Sequence, residues 1–311
     1  MVHIALVGAS SGFGRTLLRH FVDQGKHQIT VLSRSENPSL TALGVTVKPV
    51  DYTSHASLTK ALKGVHTTIV TLASFDDTFR TSQLALIEAA KEAGVKRFAP
   101  SEYAHTSYEG IDLYQPKKAV WEAVQKSGME YTKFACGLFM NFLATGTPKG
   151  ETEALAGMRA WNFVINMKAG TADLPGDGSS LMTVTEINDI CRFIVESVDL
   201  DHWDEVSGMA GETLSWNEII AAIEKVTGRK MLVKHNSKEK MEQSALDPSR
   251  RFYEQCRLSF LSGAGVVPGT LNKKLLDVQP ISVEGYLERW WKNVELPEAS
   301  WEEDRVFGFA D

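Results

Sequence analysis

The stretch VGASSGFG, residues 7–14, places three glycines and two serines directly after an apolar run and before a helical pattern. A glycine-rich turn of this kind directs backbone N–H groups and the positive end of a helix to one point, where a diphosphate can bind. Gly8 would make the turn, Gly12 would admit the phosphates, and Gly14 would let the helix pack on the strand. The alternative is a plain loop. The position after the first strand favours a dinucleotide site, whose other predicted contacts are Ser10, Ser11 and Phe13.

The end of the second predicted strand indicates which dinucleotide would bind. A site for NAD(H) usually offers an acidic residue to the ribose hydroxyls about 20 residues after the glycines. This chain instead offers Ser33 and Arg34, which suit the 2′-phosphate of NADP(H), although Arg34 as an ordinary surface arginine is the alternative. The small residues Ala73 and Ser74 follow the fourth strand and would let the cofactor lie close. We therefore expect NADPH as the cofactor.

The elements that must position these residues alternate regularly through the first half of the chain. Apolar runs typical of strands occur at residues 2–7, 28–32, 45–50, 67–73, 96–100 and 130–135. Segments with helical spacing of apolar residues separate most of them and end at glycine. Alternating strands and helices pair in parallel and bury both faces of the sheet. The sequence therefore predicts an α/β fold, a Rossmann-type doubly wound parallel sheet with ligands at the carboxyl ends of its strands.

The second half loses this alternation and predicts a smaller C-terminal substrate-binding lobe. We expect residues 1–150 to form the NAD(P)-binding domain and 151–311 to form the lobe, with segments near 182–210 returning to the first domain. A helix is predicted from Ser215, a plausible N-cap with Glu218 three residues later. Further helical patterns lie at 183–199, 237–247 and 284–293, and GAGVVPG at 263–269 predicts a loop.

Composition restricts the class of protein. The net charge is −6 with 23% charged residues, and no basic stripe interleaved with aromatics suggests nucleic-acid binding. The N-terminus lacks a charged leader and no run of 18 apolar residues occurs, so we expect a cytoplasmic protein without a membrane partner. Three distant cysteines, Cys136, Cys191 and Cys256, and scattered histidines predict reduced buried thiols and no metal site. The oligomeric state stays open.

Several segments resemble the isoflavone reductase-like and NmrA-like family of atypical short-chain dehydrogenases. They are the glycine loop, VKRFAPSEY at 95–103, the KxxV pattern at 117–120, GMEYTKFACGLFMNF at 128–142, and LSWNEIIAAIEKVTG at 214–228. The resemblance covers most of the chain and is specific for family, not for substrate. One departure is the loop, where GASSGFG has GxxxGxG spacing instead of the family's GxxGxxG. This spacing leaves the phosphate contacts of Ser10 and Ser11 unassigned.

The resemblance implies a lysine that binds the cofactor ribose and transfers a proton, at the start of the helix after PSE(F/Y). It falls on Lys117, because an aliphatic residue follows three positions later. Helical spacing gives the same choice over Lys118, since Lys117 shares a face with Val120 and Val124. The alternative for Lys117 is a surface lysine with a buried stem.

Three further residues are candidates for contact with the substrate oxygen. Tyr103 and His105 lie at the carboxyl end of the fifth strand, where either could donate a hydrogen bond or relay a proton. Tyr114 and Lys118 match the YxxxK pair of ordinary short-chain dehydrogenases, but Pro116 suggests that Tyr114 precedes the helix. Ordinary loop residues are the alternative for Tyr103 and His105, and an accidental match to YxxxK is the alternative for Tyr114.

The segment after the sixth strand resembles the family segment that flanks the nicotinamide. Gly137 would allow close approach and Phe139 would contact the cofactor. An apolar substrate pocket is predicted from Met140 and Phe142, with Trp161, Phe163 and Met167 as its lid. Core packing is the alternative for each of these side chains.

The resemblance implies NADPH-dependent reduction of a small apolar compound, an aromatic or polyketide-like carbonyl or enone of secondary metabolism. Two other functions fit the same motifs. One is an NmrA-like regulatory protein that senses dinucleotides without turnover. The other is a non-redox isomerase, dehydratase or cyclase on the same fold.

Overall fold

Six parallel strands form the centre of the computed structural model, which describes residues 1–10, 12–74 and 76–301. The strands are β1 (His3–Val7), β2 (Gln28–Ser33), β3 (Thr46–Pro49), β4 (Thr67–Val70), β5 (Arg97–Ala99) and β6 (Glu130–Tyr131). Their order in the sheet is β3-β2-β1-β4-β5-β6, and every pair is parallel. The order reverses between β1 and β4, where open α/β sheets bind ligands. The predicted Rossmann-type doubly wound sheet is confirmed.

Helices cover both faces of this sheet. The first half of the chain forms α1 (Gly12–Gln24), α2 (Pro38–Thr41), α3 (His55–Leu62), α4 (Thr78–Ala93), a 3-10 turn (Asp112–Tyr114) and α5 (Gln115–Gln125). One face buries apolar residues of α3, α4 and α5. The other buries Leu17 and Phe21 of α1 with Leu40 of α2. Both faces of the sheet are therefore buried under apolar side chains, as is usual for a sheet of parallel strands.

The second half adds short strands and seven helices to the described part of the chain. The strands are β7 (Lys133–Ala135), β8 (Leu138–Phe139), β9 (Ile165–Asn166), β10 (Thr171–Pro175), β11 (Leu181–Thr185), β12 (Val206–Gly208), β13 (Glu212–Ser215) and β14 (Leu232–Asn236). The helices are α6 (Glu151–Ala154), α7 (Ile187–Ser197), α8 (Trp216–Thr227), α9 (Lys238–Ser244), α10 (Pro248–Leu261), α11 (Thr270–Lys274) and α12 (Val283–Trp291), with a 3-10 turn at Met140–Ala144. The strands pair as β14-β10-β9, β13-β11-β8 and β12-β7.

One helix of the second half packs on the first half. Ile190 and Ile194 of α7 share a buried cluster with Leu17 and Phe21 of α1. Polar contacts flank this cluster, because His20 Nε2 lies 3.1 Å from Asn188 Oδ1 and Gln24 donates to Glu196 at 3.0 Å. Helix α7 therefore belongs to the apolar core on the α1 face of the sheet, although it lies in the second half of the chain.

The sixth strand differs from the sequence prediction. Residues 130–135 were predicted as one strand, but the structure divides them at Thr132 into β6 and β7, which belong to different sheets. The backbone N–H of Lys133 donates to Glu205 O at 2.9 Å, so the chain leaves β5 and pairs with β12. The prediction of a single strand is wrong because this long-range partner is not visible in local periodicity.

Helix termini follow their local signals closely. Ser215 and Glu218 form the predicted capping box at the start of α8, and Gly228 ends that helix with φ of +69°. Helix α10 was not predicted, although Asp247 caps it and Pro248 follows in its first turn. Within the described residues, no helix combines the length and apolar character needed to cross a bilayer.

The glycine loop lies directly against the strands. A Cβ on Gly8 would lie 2.8 Å from the carbonyl carbon of Thr71, and one on Gly14 would collide with Thr71 Oγ1 and Gly8 O. Gly8 also has φ of +87°. The first turn of α1 therefore packs on β1 and β4 only because side chains are missing there.

Gly14→Ala should lower the free energy of unfolding by about 2 kcal/mol, because the added methyl overpacks a backbone contact. Gly285→Ala in α12 is the control, since its Cβ would meet only flexible side-chain atoms, the nearest at 3.3 Å. The control should change stability by less than about 1 kcal/mol. Urea unfolding of both variants measures the difference, and equal effects would contradict the packing described.

Candidate active site

The predicted dinucleotide contacts follow the carboxyl ends of β1, β2 and β4. Ser10, Arg34, Ala73 and Ser74 are exposed, and Gly8, Gly12 and Ser33 are half-buried. Ser74 Oγ donates to Asp76 Oδ1 at 2.7 Å in the turn before α4. Ser11 lies outside the described residues. Glycine backbone without side chains follows β1 and an accessible guanidinium follows β2, and both suit a phosphorylated dinucleotide.

Three aromatic rings meet beside the glycine loop. The ring centroids of Phe13 and Tyr103 are 4.6 Å apart, and those of Phe13 and Phe139 are 6.1 Å apart. The Tyr103 hydroxyl donates to Val70 O at 3.0 Å, and burial raises the pKa of this tyrosine. A substrate that accepts a hydrogen bond from Tyr103 must therefore displace its bond to the end of β4.

Lys117 extends from the first turn of α5 to the end of β5. The helix begins at Gln115, so Tyr114 precedes it as expected from Pro116. Lys117 Nζ donates to the main-chain oxygen of Glu102 at 3.0 Å and lies 5.1 Å from the centroid of the Tyr114 ring. Burial lowers the pKa of Lys117. The neighbouring Lys118 is exposed, so only one of the two lysines enters the site.

His105 and Tyr114 lie beside Lys117. Their ring centroids are 5.5 Å apart, and His105 Nε2 lies 3.4 Å from Ser259 Oγ of α10. Burial and the nearby lysine charges lower the pKa of His105 to about 4, so it is neutral at pH 7. Burial likewise raises the pKa of Tyr114. Helix α10 therefore covers the site from the second half of the chain.

Two charged residues of this site, Glu102 and Lys133, are not among the catalytic candidates predicted from the sequence. Glu102 is 2% exposed, and the side chain of Lys133 in β7 is 4% exposed. Lys133 Nζ lies 3.9 Å from Glu102 Oε2, and burial lowers the pKa of Lys133 to about 8. The signal was a lysine inside an apolar strand pattern, which requires a buried partner.

Gly137 and Phe139, which were predicted to contact the cofactor, precede the predicted substrate residues in the chain. Gly137 has φ of +70°, and a Cβ there would collide with Thr183 O of β11. Phe139 is half-buried and packs against both the core on the α1 face of the sheet and the core of the smaller lobe. The predicted substrate side chains and the predicted lid are buried in the core of the smaller lobe. These core side chains are Met140, Phe142, Trp161, Phe163 and Met167. The alternative of core packing therefore describes these five side chains in this structure.

A cavity of about 700 Å³ lies between α1, α7 and α12, and none of Lys117, His105 and Tyr114 lines it. Four arginines and four carboxylates line it. Arg289 pairs with Glu153 at 2.7 Å, and Arg192 pairs with Asp189. Its charges are balanced, so the buried acid–base groups around Lys117 remain the better candidate for chemistry.

Thiol and metal chemistry find no support in the described part of the chain. Burial raises the pKa of Cys136 to about 12 and raises those of Cys191 and Cys256 as well. These thiols are therefore protonated at neutral pH. Among the described residues, no three His, Cys, Asp or Glu side chains converge as a metal site would require.

Comparison with known proteins gives consistent matches. A sequence profile of the NmrA-like family matches residues 2–260. An oxidoreductase of Botryotinia fuckeliana is 32% identical over 238 residues, covering 74% of this chain and 77% of that protein. A phenylcoumaran benzylic ether reductase of Pinus taeda is 28% identical over 243 residues, covering 71% and 74%.

A solved structure shows the same fold. The binary complex of leucoanthocyanidin reductase with NADPH from Vitis vinifera superposes with a TM-score of 0.72 at 17% identity. The match covers 92% of this chain and 98% of that one.

Loss of the His105 imidazole should flatten the pH dependence of stability. Because its folded pKa is about 4 and its ordinary value 6.5, the unfolded chain binds a proton in this window that the folded chain does not. Stability therefore falls as pH drops from 6.5 towards 4. Between pH 7 and 5, wild type should lose about 2 kcal/mol more than His105→Asn.

Urea unfolding of both proteins at the two pH values measures this difference. The other histidines are present in both proteins and cancel. Equal losses in the two proteins would show that His105 is not buried as a neutral ring.

Proposed function

The chain belongs to the NmrA-like family, and we propose that it is an NADPH-dependent reductase of a small apolar carbonyl or enone compound. The observation that carries this proposal is the Lys117 amine, which donates to Glu102 O at 3.0 Å just beyond β5, in a sheet whose β1 and β2 are followed by the glycine loop and the exposed Arg34. A buried amine with a lowered pKa suits proton transfer near neutral pH. The oxidoreductase and reductase names of the relatives support the same reaction class.

The glycine loop and Arg34 support NADPH as the cofactor. Gly8 and Gly14 leave no room for side chains, so the loop presents bare amides where a diphosphate would bind. Arg34 follows β2 and is exposed, and its guanidinium suits a 2′-phosphate. The NADPH complex of the Vitis vinifera reductase supports this choice. NADPH supplies the hydride when bound.

The residues around Lys117 would orient the substrate and move the proton. Lys117 Nζ would hold the ribose and deliver or accept the proton at the substrate oxygen. His105 and Tyr114 lie next to Lys117. In our proposal, they are the two hydrogen-bonding groups closest to the substrate oxygen. Both are neutral at pH 7, since burial opposes their ionisation.

Apolar and aromatic side chains are available at the border of the smaller core. Leu113, Phe139 and Met158 are half-buried and pack at the border of the smaller core. An aromatic or polyketide-like compound of secondary metabolism would match such walls by burial of its rings. The phenylcoumaran benzylic ether reductase among the relatives supports an aromatic substrate.

Two competing functions predict different products. A dinucleotide sensor would bind NADPH and consume none of it with any carbonyl or enone of a panel. A non-redox isomerase, dehydratase or cyclase would convert substrate equally well with and without added NADPH. Chromatography of reactions with and without NADPH separates all three functions, and net reduction is the result that we expect.

Lys117→Met should reduce turnover by about 100-fold or more, because it removes the proton-transferring amine while keeping the bulk of the side chain. Lys118→Met is the matched control, since this exposed neighbour does not enter the site. The control should keep wild-type turnover. NADPH consumption with the active compounds of the panel measures both variants, and equal activities would rule Lys117 out.

Arg34→Ala should weaken NADPH binding by about 10- to 100-fold, because it removes a charged hydrogen bond to the 2′-phosphate. Binding of NADH, which lacks that phosphate, should stay nearly constant. Calorimetric titration measures both affinities. The exposed Arg251 of α10 provides an Arg251→Ala control, and an NADPH affinity equal to wild type in Arg34→Ala would contradict the cofactor assignment.

A further inference from the structure

Two lysine amines meet the same buried glutamate just beyond β5. Lys117 Nζ donates to the main-chain oxygen of Glu102 at 3.0 Å, and Lys133 Nζ lies 3.9 Å from Oε2 of the same residue. Lys117 comes from α5 and Lys133 from β7, so the two amines approach Glu102 from different elements. The proposed reaction uses only the first of them.

Glu102 is held in a defined position with part of its hydrogen-bonding capacity unused. Its Oε2 accepts from the Tyr108 hydroxyl at 3.0 Å. Its Oε1 is buried and has no hydrogen-bond partner among residues 1–10, 12–74 and 76–301. A buried carboxylate with an unpaired oxygen depends strongly on nearby positive charge.

Lys133 is fixed as firmly as its partner. Its Nζ donates to Thr106 O at 3.2 Å and lies 3.9 Å and 4.7 Å from the ring centroids of Tyr108 and Trp121. The aromatic faces and the carbonyl stabilise a cation without neutralising it. Glu102 is therefore the anion that Lys133 faces inside the site.

The remaining ionisable groups around the two amines are few. Lys117 faces Glu102, Cys136, His105 and Tyr114. Lys133 faces Glu102, Tyr108, Lys117 and Glu205. The thiol, the phenols and the imidazole are neutral at pH 7. Burial raises the pKa of the Glu102 carboxyl group, and the charges of Lys117 and Lys133 oppose this rise, so both amines interact with the same carboxyl group.

We propose that Lys133 is a positioning residue that controls the charge of Lys117 through Glu102, the residue that both amines contact. Coulombic interactions are strong where water is excluded. When Lys133 carries its positive charge, it already offsets part of the negative charge of Glu102. Protonated Lys117 then gains less electrostatic stabilisation from Glu102. The Lys117 amine is thereby kept ready to exchange its proton near neutral pH. This coupling is a property of the folded chain, and its use in catalysis rests on the proposed function.

The coupling can be measured without a substrate. We would label the protein with lysine carrying ¹³C at Cε, assign the Lys117 signal with Lys117→Met, and titrate its chemical shift against pH. Lys133→Met should raise the pKa of Lys117 by about one unit, because it removes the competing cation. Glu102→Gln should lower it, because it removes the anion. Lys133→Arg should restore a value close to wild type.

Opposite shifts in the two variants distinguish charge coupling from a structural role, since damage to packing would move the pKa in one direction. Lys118→Met is the control for charge outside the site and should leave the titration unchanged. An unchanged Lys117 pKa in Lys133→Met, or shifts of the same sign in Lys133→Met and Glu102→Gln, would overturn the proposal.

The same variants separate this inference from the proposed function. If the protein reduces a compound of the panel, the pH profile of kcat should shift with the measured pKa, while KM for NADPH stays the same. If it reduces none, the reductase proposal fails, and the titration still decides whether Lys133 controls Lys117.

Discussion

The burial of one lysine amine at the carboxyl end of a parallel strand is the constraint on which this active-site account depends. Lys117 donates to the carbonyl of Glu102 just beyond β5, and its amine lies 5.1 Å from the centroid of the Tyr114 ring. An amine in such surroundings is costly to charge. The cost is tolerated because the fold supplies a carbonyl, a carboxylate and ring faces at that point, and these groups make the amine suitable for proton exchange.

The two halves of the chain are both needed to build this site. The first half supplies the glycine loop and the start of α5, whose positions follow from the sheet. The second half supplies α10, with Ser259 next to His105, and β12, which pairs with the strand that carries Lys133. Because α7 packs on α1, the smaller lobe is tied to the sheet. The site therefore lies where the core of the smaller lobe meets the core on the α1 face of the sheet.

Much of this arrangement could be predicted from local sequence. The glycine loop, the alternating elements and the inward face of Lys117 each follow from short-range rules, and so does the capping box at Ser215. What could not be predicted depends on distant partners. The division of 130–135 into β6 and β7 requires Glu205, and the role of Glu102 emerges only when Lys133 and Tyr108 are brought to it. Likewise, large aromatic side chains such as Trp161 and Phe163 suit a pocket wall and a core equally well. Only the packing of the folded chain shows that both lie in the core.

A crystal structure of the protein with bound NADPH tests the central claim most directly. The account predicts the diphosphate on the backbone of the glycine loop, the nicotinamide beside Phe13 and Phe139, and the Lys117 amine within hydrogen-bond distance of the nicotinamide ribose. A cofactor that binds with its nicotinamide turned away from Lys117, or that fails to occupy the loop at saturating concentration, would contradict the account.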